Sequence, residues 1–110
     1  MNKKSTRYFS SRQEKKVAKA LGGKQVANSG ATMFSKGDIR TENWLIEAKT
    51  KTTESQSMSI KKEWLDKNAE EAFAMGKQYS ALVFDFGCGE NYYIVDEKTF
   101  IEMKNALEEK

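Results

Sequence analysis

Asp38, Glu47 and Lys49 are the residues most able to do chemistry together, spaced as Gly37-Asp38, eight residues, then Glu47-Ala48-Lys49. Trp44-Leu-Ile-Glu-Ala-Lys49 is aromatic, branched and mostly apolar, which predicts a strand. Alternate side chains of a strand share a face. Trp44, Ile46 and Ala48 would then face a core, with Leu45, Glu47 and Lys49 on the other side. A carboxylate and an ammonium two residues apart on one face suit a metal site with a proton-handling lysine.

The preceding Asp38-Ile-Arg-Thr41 predicts the first arm of a hairpin turning at Glu42-Asn43. With a two-residue turn, Thr41 faces Trp44 and Asp38 faces Glu47. Directly opposed residues have Cβ atoms roughly 4.5–5.5 Å apart, and two like charges there repel. A divalent cation would turn that repulsion into a binding site. A longer loop would shift the register and separate the carboxylates, and Glu-Asn lacks the strong Asn-Gly turn signal. The plain alternative is a solvated hairpin with scattered charge.

Composition narrows the chemistry. The chain of 110 residues has no histidine, which excludes Ser-His-Asp and Cys-His catalysis and histidine-ligated metals. Cys88 is its single cysteine, so neither an intrachain disulfide nor a cysteine zinc cluster can form. Oxygen ligands remain, favouring Mg²⁺ or Mn²⁺. No apolar run approaches the roughly 20 residues of a membrane span, and the expectation is a cytoplasmic protein without a membrane partner.

Charge is uneven. Residues 1–24 hold Lys3, Lys4, Arg7, Arg12, Lys15, Lys16, Lys19 and Lys24 against Glu14 alone, a local +7. The whole chain carries +3, so the remainder carries −4. That asymmetry points to a polyanion, nucleic acid first, with a solvated helix face and tail as the plainer reading.

The elements that must position these residues follow from periodicity and punctuation. Residues 1–9 are expected to be a basic arm, and residues 10–110 one domain. Ser11-Arg-Gln-Glu14 matches a capping box, predicting a helix to about Leu21 that stops at Gly22-Gly23. Glu14 shares a stripe with Val17, Ala18 and Leu21, either capping the helix or reaching a metal. Lys24-Gln-Val-Ala27 predicts a short strand and Asn28 to Gly37 a loop of small and polar residues. A second helix is expected from Ser59 to about Met75, with Trp64 and Phe73 in its inward stripe. Trp44 and Trp64 are expected in the core. Tyr79 to Phe86 predicts a central strand and Tyr92 to Val95 another. Asp96 caps a last helix with Phe100, Met103, Ala106 and Leu107 inward. The order is helix, three strands, helix, two strands, helix: an α/β domain with a mixed sheet of about five strands flanked by helices.

Motif, order of elements and charge together resemble the PD-(D/E)XK nuclease superfamily over roughly residues 11–86, and most of all its small archaeal-type Holliday junction resolvases, including those of viruses and phages. The resemblance implies a restriction-endonuclease-like domain. It implies a metal-binding Asp at Asp38, the Glu-x-Lys pair at Glu47 and Lys49, and a helix-borne acid at Glu14. The Ser-Gly loop of the family falls on Asn28-Ser29-Gly30, which makes Ser29 a further candidate, whereas the proline that usually precedes the Asp is Gly37 here. The implied activity is Mg²⁺-dependent phosphodiester hydrolysis of four-way DNA junctions by a homodimer, leaving a 5′-phosphate and a 3′-hydroxyl. The implied ligands are Asp38, Glu47, the backbone carbonyl of Ala48 and Glu14, with Lys49 on the water or the phosphate. Lys3, Lys4, Arg7, Arg12, Lys15, Lys16, Lys51, Lys61 and Lys62 are the expected DNA contacts. Apolar Met33, Phe34 and Met58 in polar loops suit a dimer contact. The rivals are a nicking or branch-trimming nuclease of the same fold, a non-catalytic DNA-binding protein, and an interaction module with solvated charges.

Overall fold

The computed structural model describes residues 6–25 and 38–109, with only the backbone of residues 6–10 and of Asp38. The elements are α1 (Thr6–Leu21), β1 (Lys24–Gln25), β2 (Asp38–Arg40), β3 (Trp44–Thr50), α2 (Lys62–Ala74), β4 (Tyr79–Asp85), β5 (Asn91–Ile94) and α3 (Glu97–Glu108). The five strands form one mixed sheet in the order β1-β2-β3-β4-β5. All neighbouring pairs are antiparallel except β3 and β4, which run parallel and are joined through α2. A parallel pair needs such a crossover.

α1 and α2 cover opposite faces of this sheet. Val17 and Ala18 of α1 pack with Ile39, Trp44, Ile46, Ala48, Ala81, Val83 and Val95. The intervening strand residues face α2, and Leu45 and Leu82 are as fully buried there as Ile46 and Val83 are beneath α1. That double burial explains why residues 44–46 and 81–84 read as continuous apolar runs. Asn68 of α2 is buried on the same side and donates through Nδ2 to the carbonyls of Leu45 (3.3 Å) and Ala81 (3.0 Å), tying the helix to both strands.

The expected α/β domain with a five-stranded mixed sheet is found, with corrections to its elements. α1 begins at Thr6, so Ser11 lies inside the helix and Ser11 to Glu14 is not a capping box. Residues 6–9, assigned to the basic arm, form its first turn. The helix does stop at Gly22, whose φ of 67° suits glycine. α2 begins at Lys62 with Lys61 as N-cap, so Ser59 does not cap it. Ala72 is buried on the expected stripe, but Phe73 is 86% exposed and Asn68 is buried instead. In α3, Asp96 caps as expected. Phe100, Met103, Ala106 and Leu107 are exposed, and Thr99 is the residue it buries. Periodicity finds a helix's apolar stripe but not whether the fold supplies a surface to cover it. No helix of the described residues is long and apolar enough to cross a membrane.

Candidate active site on the β2–β3 hairpin

The hairpin has the register that a two-residue turn requires: Thr41 N donates to Trp44 O (3.0 Å), and Asp38 pairs with Glu47. Among the described residues no non-glycine residue has a positive φ, so Glu42-Asn43 is not the left-handed turn that tight hairpins favour. The turn is held from outside instead. Lys77 Nζ donates to the carbonyls of Thr41 (2.7 Å) and Glu42 (3.1 Å), and the N–H groups of Gln78 and Tyr79 donate to Asn43 O (2.9 and 2.8 Å). Thr41 Oγ1 accepts from Trp44 N (3.1 Å). The chain entering β4 therefore fixes the register that brings positions 38 and 47 together.

Glu47 and Lys49 follow Leu45 on the α2 face. Lys49 Nζ is 3.0 Å from Glu47 Oε2, with the two side chains 29% and 20% exposed. The same ammonium lies 4.3 Å from the centroid of the Trp64 ring, an attractive cation–π contact. Trp64 is half-buried, so it is both packing and a seat for Lys49. Lys61 approaches that ring at 6.0 Å.

α2 also brings an acid that the sequence reading did not single out. Burial raises the Glu71 carboxyl above its ordinary range, and the negative charge of Glu47 raises it further. Glu71 is three residues after Asn68 and seven after Trp64. A carboxylate at helical spacing on the inward stripe was the available signal.

Glu14 sits apart from this group. Its partner is Gln25 Nε2, at 3.4 Å from Oε1, and Gln25 is paired with Ile39, whose side chain faces α1. Burial raises the Glu14 carboxyl, opposed by that hydrogen bond. Glu14 thus belongs to the α1 layer, across the sheet from Glu47. Ala48 packs in the α1-side core while its backbone runs beside Val83. Among the described residues no three acid or cysteine side chains converge as a metal cage. Ser29, Lys3, Lys4, Met33 and Phe34 lie outside the described residues, and Arg7 is described by its helical backbone only.

The remaining expected DNA contacts separate. Arg12, Lys15 and Lys16 are exposed on α1. Arg12 and Lys16 line a cleft with Lys51, which is half-buried just after β3. Lys62 is engaged within α2, 3.0 Å from Asp66. Gln13, also missed from sequence, is buried beneath this cleft and donates through Nε2 to Lys49 O (2.7 Å) and Asn91 Oδ1 (3.1 Å). Met58 is half-buried.

Glu47 offers carboxylate oxygens beside the Lys49 ammonium, and Asp38 occupies the opposed register position. Glu71 of α2 feels the charge of Glu47, so two carboxylates and the Lys49 ammonium meet on this face. Comparisons with protein-family models, with curated proteins and with solved structures give no match for this chain.

Proposed function

We propose that the chain is a Mg²⁺-dependent endonuclease of the PD-(D/E)XK kind that nicks branched DNA, four-way junctions foremost, and works in the cytoplasm as a homodimer. The observation that carries this reading is the pairing of Asp38 with Glu47 beside Lys49, whose Nζ is held 3.0 Å from the Glu47 carboxylate. Neither a packing role nor simple DNA binding requires two acids at opposed register positions with a seated lysine.

In this reading Asp38 and Glu47 hold the cation, with Glu71 rather than Glu14 the acid nearer to it. Mg²⁺, with Mn²⁺ able to replace it, would supply polarisation of the phosphate and a more acidic water at these residues. Glu47 also holds Lys49 by charge, and Trp64 keeps the lysine stem on the α2 face. Lys49 offers its ammonium to charge developing on the phosphate, or orients the attacking water. Phosphate contacts from the basic face set position without reading sequence. Two active sites on a dimer would meet two strands of a junction, and Phe100, Met103 and Leu107 leave apolar surface open on α3.

The test is cleavage of a labelled four-way junction with Mg²⁺, beside Asp38→Asn. Paired symmetric nicks that vanish in the variant, with junction binding retained, are expected. Equal cutting of flaps or nicked duplex would move the assignment to a branch-trimming nuclease. Tight binding without cleavage in Mg²⁺ or Mn²⁺ would overturn the enzyme reading in favour of a binding protein.

A further inference from the structure

Beyond the ends of β3 and β4 lies a cleft of about 220 Å³ lined by α1 and by the segments that follow the two parallel strands. Arg12 and Lys16 come from α1, Lys51 follows β3, and Gly87, Cys88 and Gly89 form the opposite wall. The strand-end loops hold this wall tightly. Lys51 N donates to Asp85 O (3.0 Å) and Ser55 N to Phe86 O (2.9 Å). Gly87 has φ 103°, and a Cβ there would lie 2.8 Å from Thr53 O and Glu54 Cα, so only glycine fits. Lys16 Nζ donates to the Gly89 carbonyl, closing the cleft from α1.

Three basic residues line the cleft against one carboxylate, Asp85. That carboxylate is turned to the loop: Oδ1 accepts from the N–H groups of Gly87 (2.7 Å), Cys88 (3.1 Å) and Gly89 (3.0 Å). Lys51 Nζ has no hydrogen-bond or ion-pair partner among the described residues, and Gln13, 4% exposed in the lining, keeps its Oε1 without one. Turning the Gln13 amide over does not help, because Nε2 already faces two acceptors, Lys49 O and Asn91 Oδ1. A buried acceptor left so costs about 1–3 kcal/mol.

We infer that this cleft is a phosphate subsite, taking a DNA backbone phosphate beyond the ends of β3 and β4, on the α1 side of the sheet. Size favours a single group, since pockets for whole small molecules run roughly 300–1,000 Å³. Lys51 meets the anion, and Gln13 Oε1 accepts from water in the phosphate's shell. Gln13 grips the Lys49 carbonyl and Lys51 lies two residues after Lys49, so the cleft adjoins the end of β3 through its backbone. The identity of the phosphate as DNA rests on the nuclease reading; the cleft's preference for phosphate does not.

Cys88 supplies the test, because it is exposed in the cleft wall and is the sequence's single cysteine. Its alkylation by iodoacetamide is followed by mass spectrometry, alone, with inorganic phosphate, and with a short DNA duplex in Ca²⁺. Both probes are expected to slow alkylation several-fold. Lys51→Ala should relieve that protection and lower the salt slope of DNA affinity by about 1, while the control Lys98→Ala changes neither. If neither probe protects Cys88, or if DNA protects it equally in Lys51→Ala, the subsite is overturned even where junctions are cut. Protection by phosphate with no DNA binding keeps the phosphate site and removes the nuclease reading instead.

Discussion

The Lys49 ammonium lies 4.3 Å from the centroid of the Trp64 ring. The strand carries the lysine, the crossover helix carries the indole, and the Glu47 carboxylate 3.0 Å away completes the seat. Two side chains from different elements thus fix a flexible four-carbon stem on one sheet face. Lys49→Ala is expected to lower the rate of junction cleavage by about 10²–10³-fold, the usual loss for a donor aimed at developing charge. Trp64→Ala should cost less, between about 2- and 30-fold, the range of a cation–π contact of roughly 0.5–2 kcal/mol. Trp64→Phe should recover part of it. Single-turnover cleavage beside junction affinity checks this. Affinity falling in step with rate would show that Trp64 serves binding rather than Lys49.

Glu14 gives a pH signature. Burial places its folded carboxyl above the ordinary value of 4.5. Folding therefore disfavours the ionised form. Stability from this group is fully present below about pH 4.5 and is lost as pH rises through the folded value. Glu14→Gln, which keeps a partner for Gln25 and cannot ionise, should be more stable than wild type at about pH 7 and equal to it near pH 4. Urea melts at both pH values without divalent cation measure the difference. A variant less stable at neutral pH would mean that a charged Glu14 is held by a partner other than Gln25.

The hairpin was legible in the sequence because alternation and a two-residue turn fix its register together. What holds that turn was not. Lys77 and the N–H groups of Gln78 and Tyr79 come from the far side of the crossover, and nothing near Glu42-Asn43 announces them. The start of α1 was misplaced because Ser11 and Glu14 have capping-box spacing, while residues 6–10 continue the same helix upstream. The stripe of α3 was visible and its exposure was not, since burial depends on a surface that only the assembled sheet provides. Glu71 and Gln13 escaped for a related reason. Each is a polar residue on a helix face turned to the sheet, and the strand group it meets, Glu47 or the Lys49 carbonyl, is remote in sequence.

Asn68 is the polar tie between α2 and the two central strands, 2% exposed, its Nδ2 shared by Leu45 O and Ala81 O. Asn68→Ala should lose about 1–3 kcal/mol, the cost of leaving buried carbonyls without their donor. In a domain of this size that is roughly 4–8 °C in Tm for each kcal/mol. Asn68→Asp should cost more at neutral pH, because it sets a carboxylate against two carbonyl oxygens. Thermal melts rank the three proteins. An Asp variant as stable as the Ala variant would show that water reaches this site.

Asp96 governs the beginning of α3. Its Oδ1 accepts from Thr99 N at 2.8 Å, and the Thr99 side chain and N–H hold its carboxyl below the ordinary value of 3.8. A depressed carboxyl contributes stability that is present above that ordinary value and lost as pH falls through the folded one. α3 leaves Phe100 61% and Leu107 85% exposed, so little packing supplements the cap. Asp96→Ala should therefore weaken the helix by about 1 kcal/mol, with faster amide exchange across Glu97–Glu108 and only a small change in global stability. Asp96→Asn should keep the cap and remove its acid sensitivity, because an amide oxygen accepts the same bond without titrating. Helicity followed below about pH 4 should then fall in wild type before it falls in the Asn variant. Equal exchange rates in wild type and the Ala variant would place the stability of α3 elsewhere, the next contact to remove being Tyr79 Oη to Glu102 Oε1 at 2.7 Å.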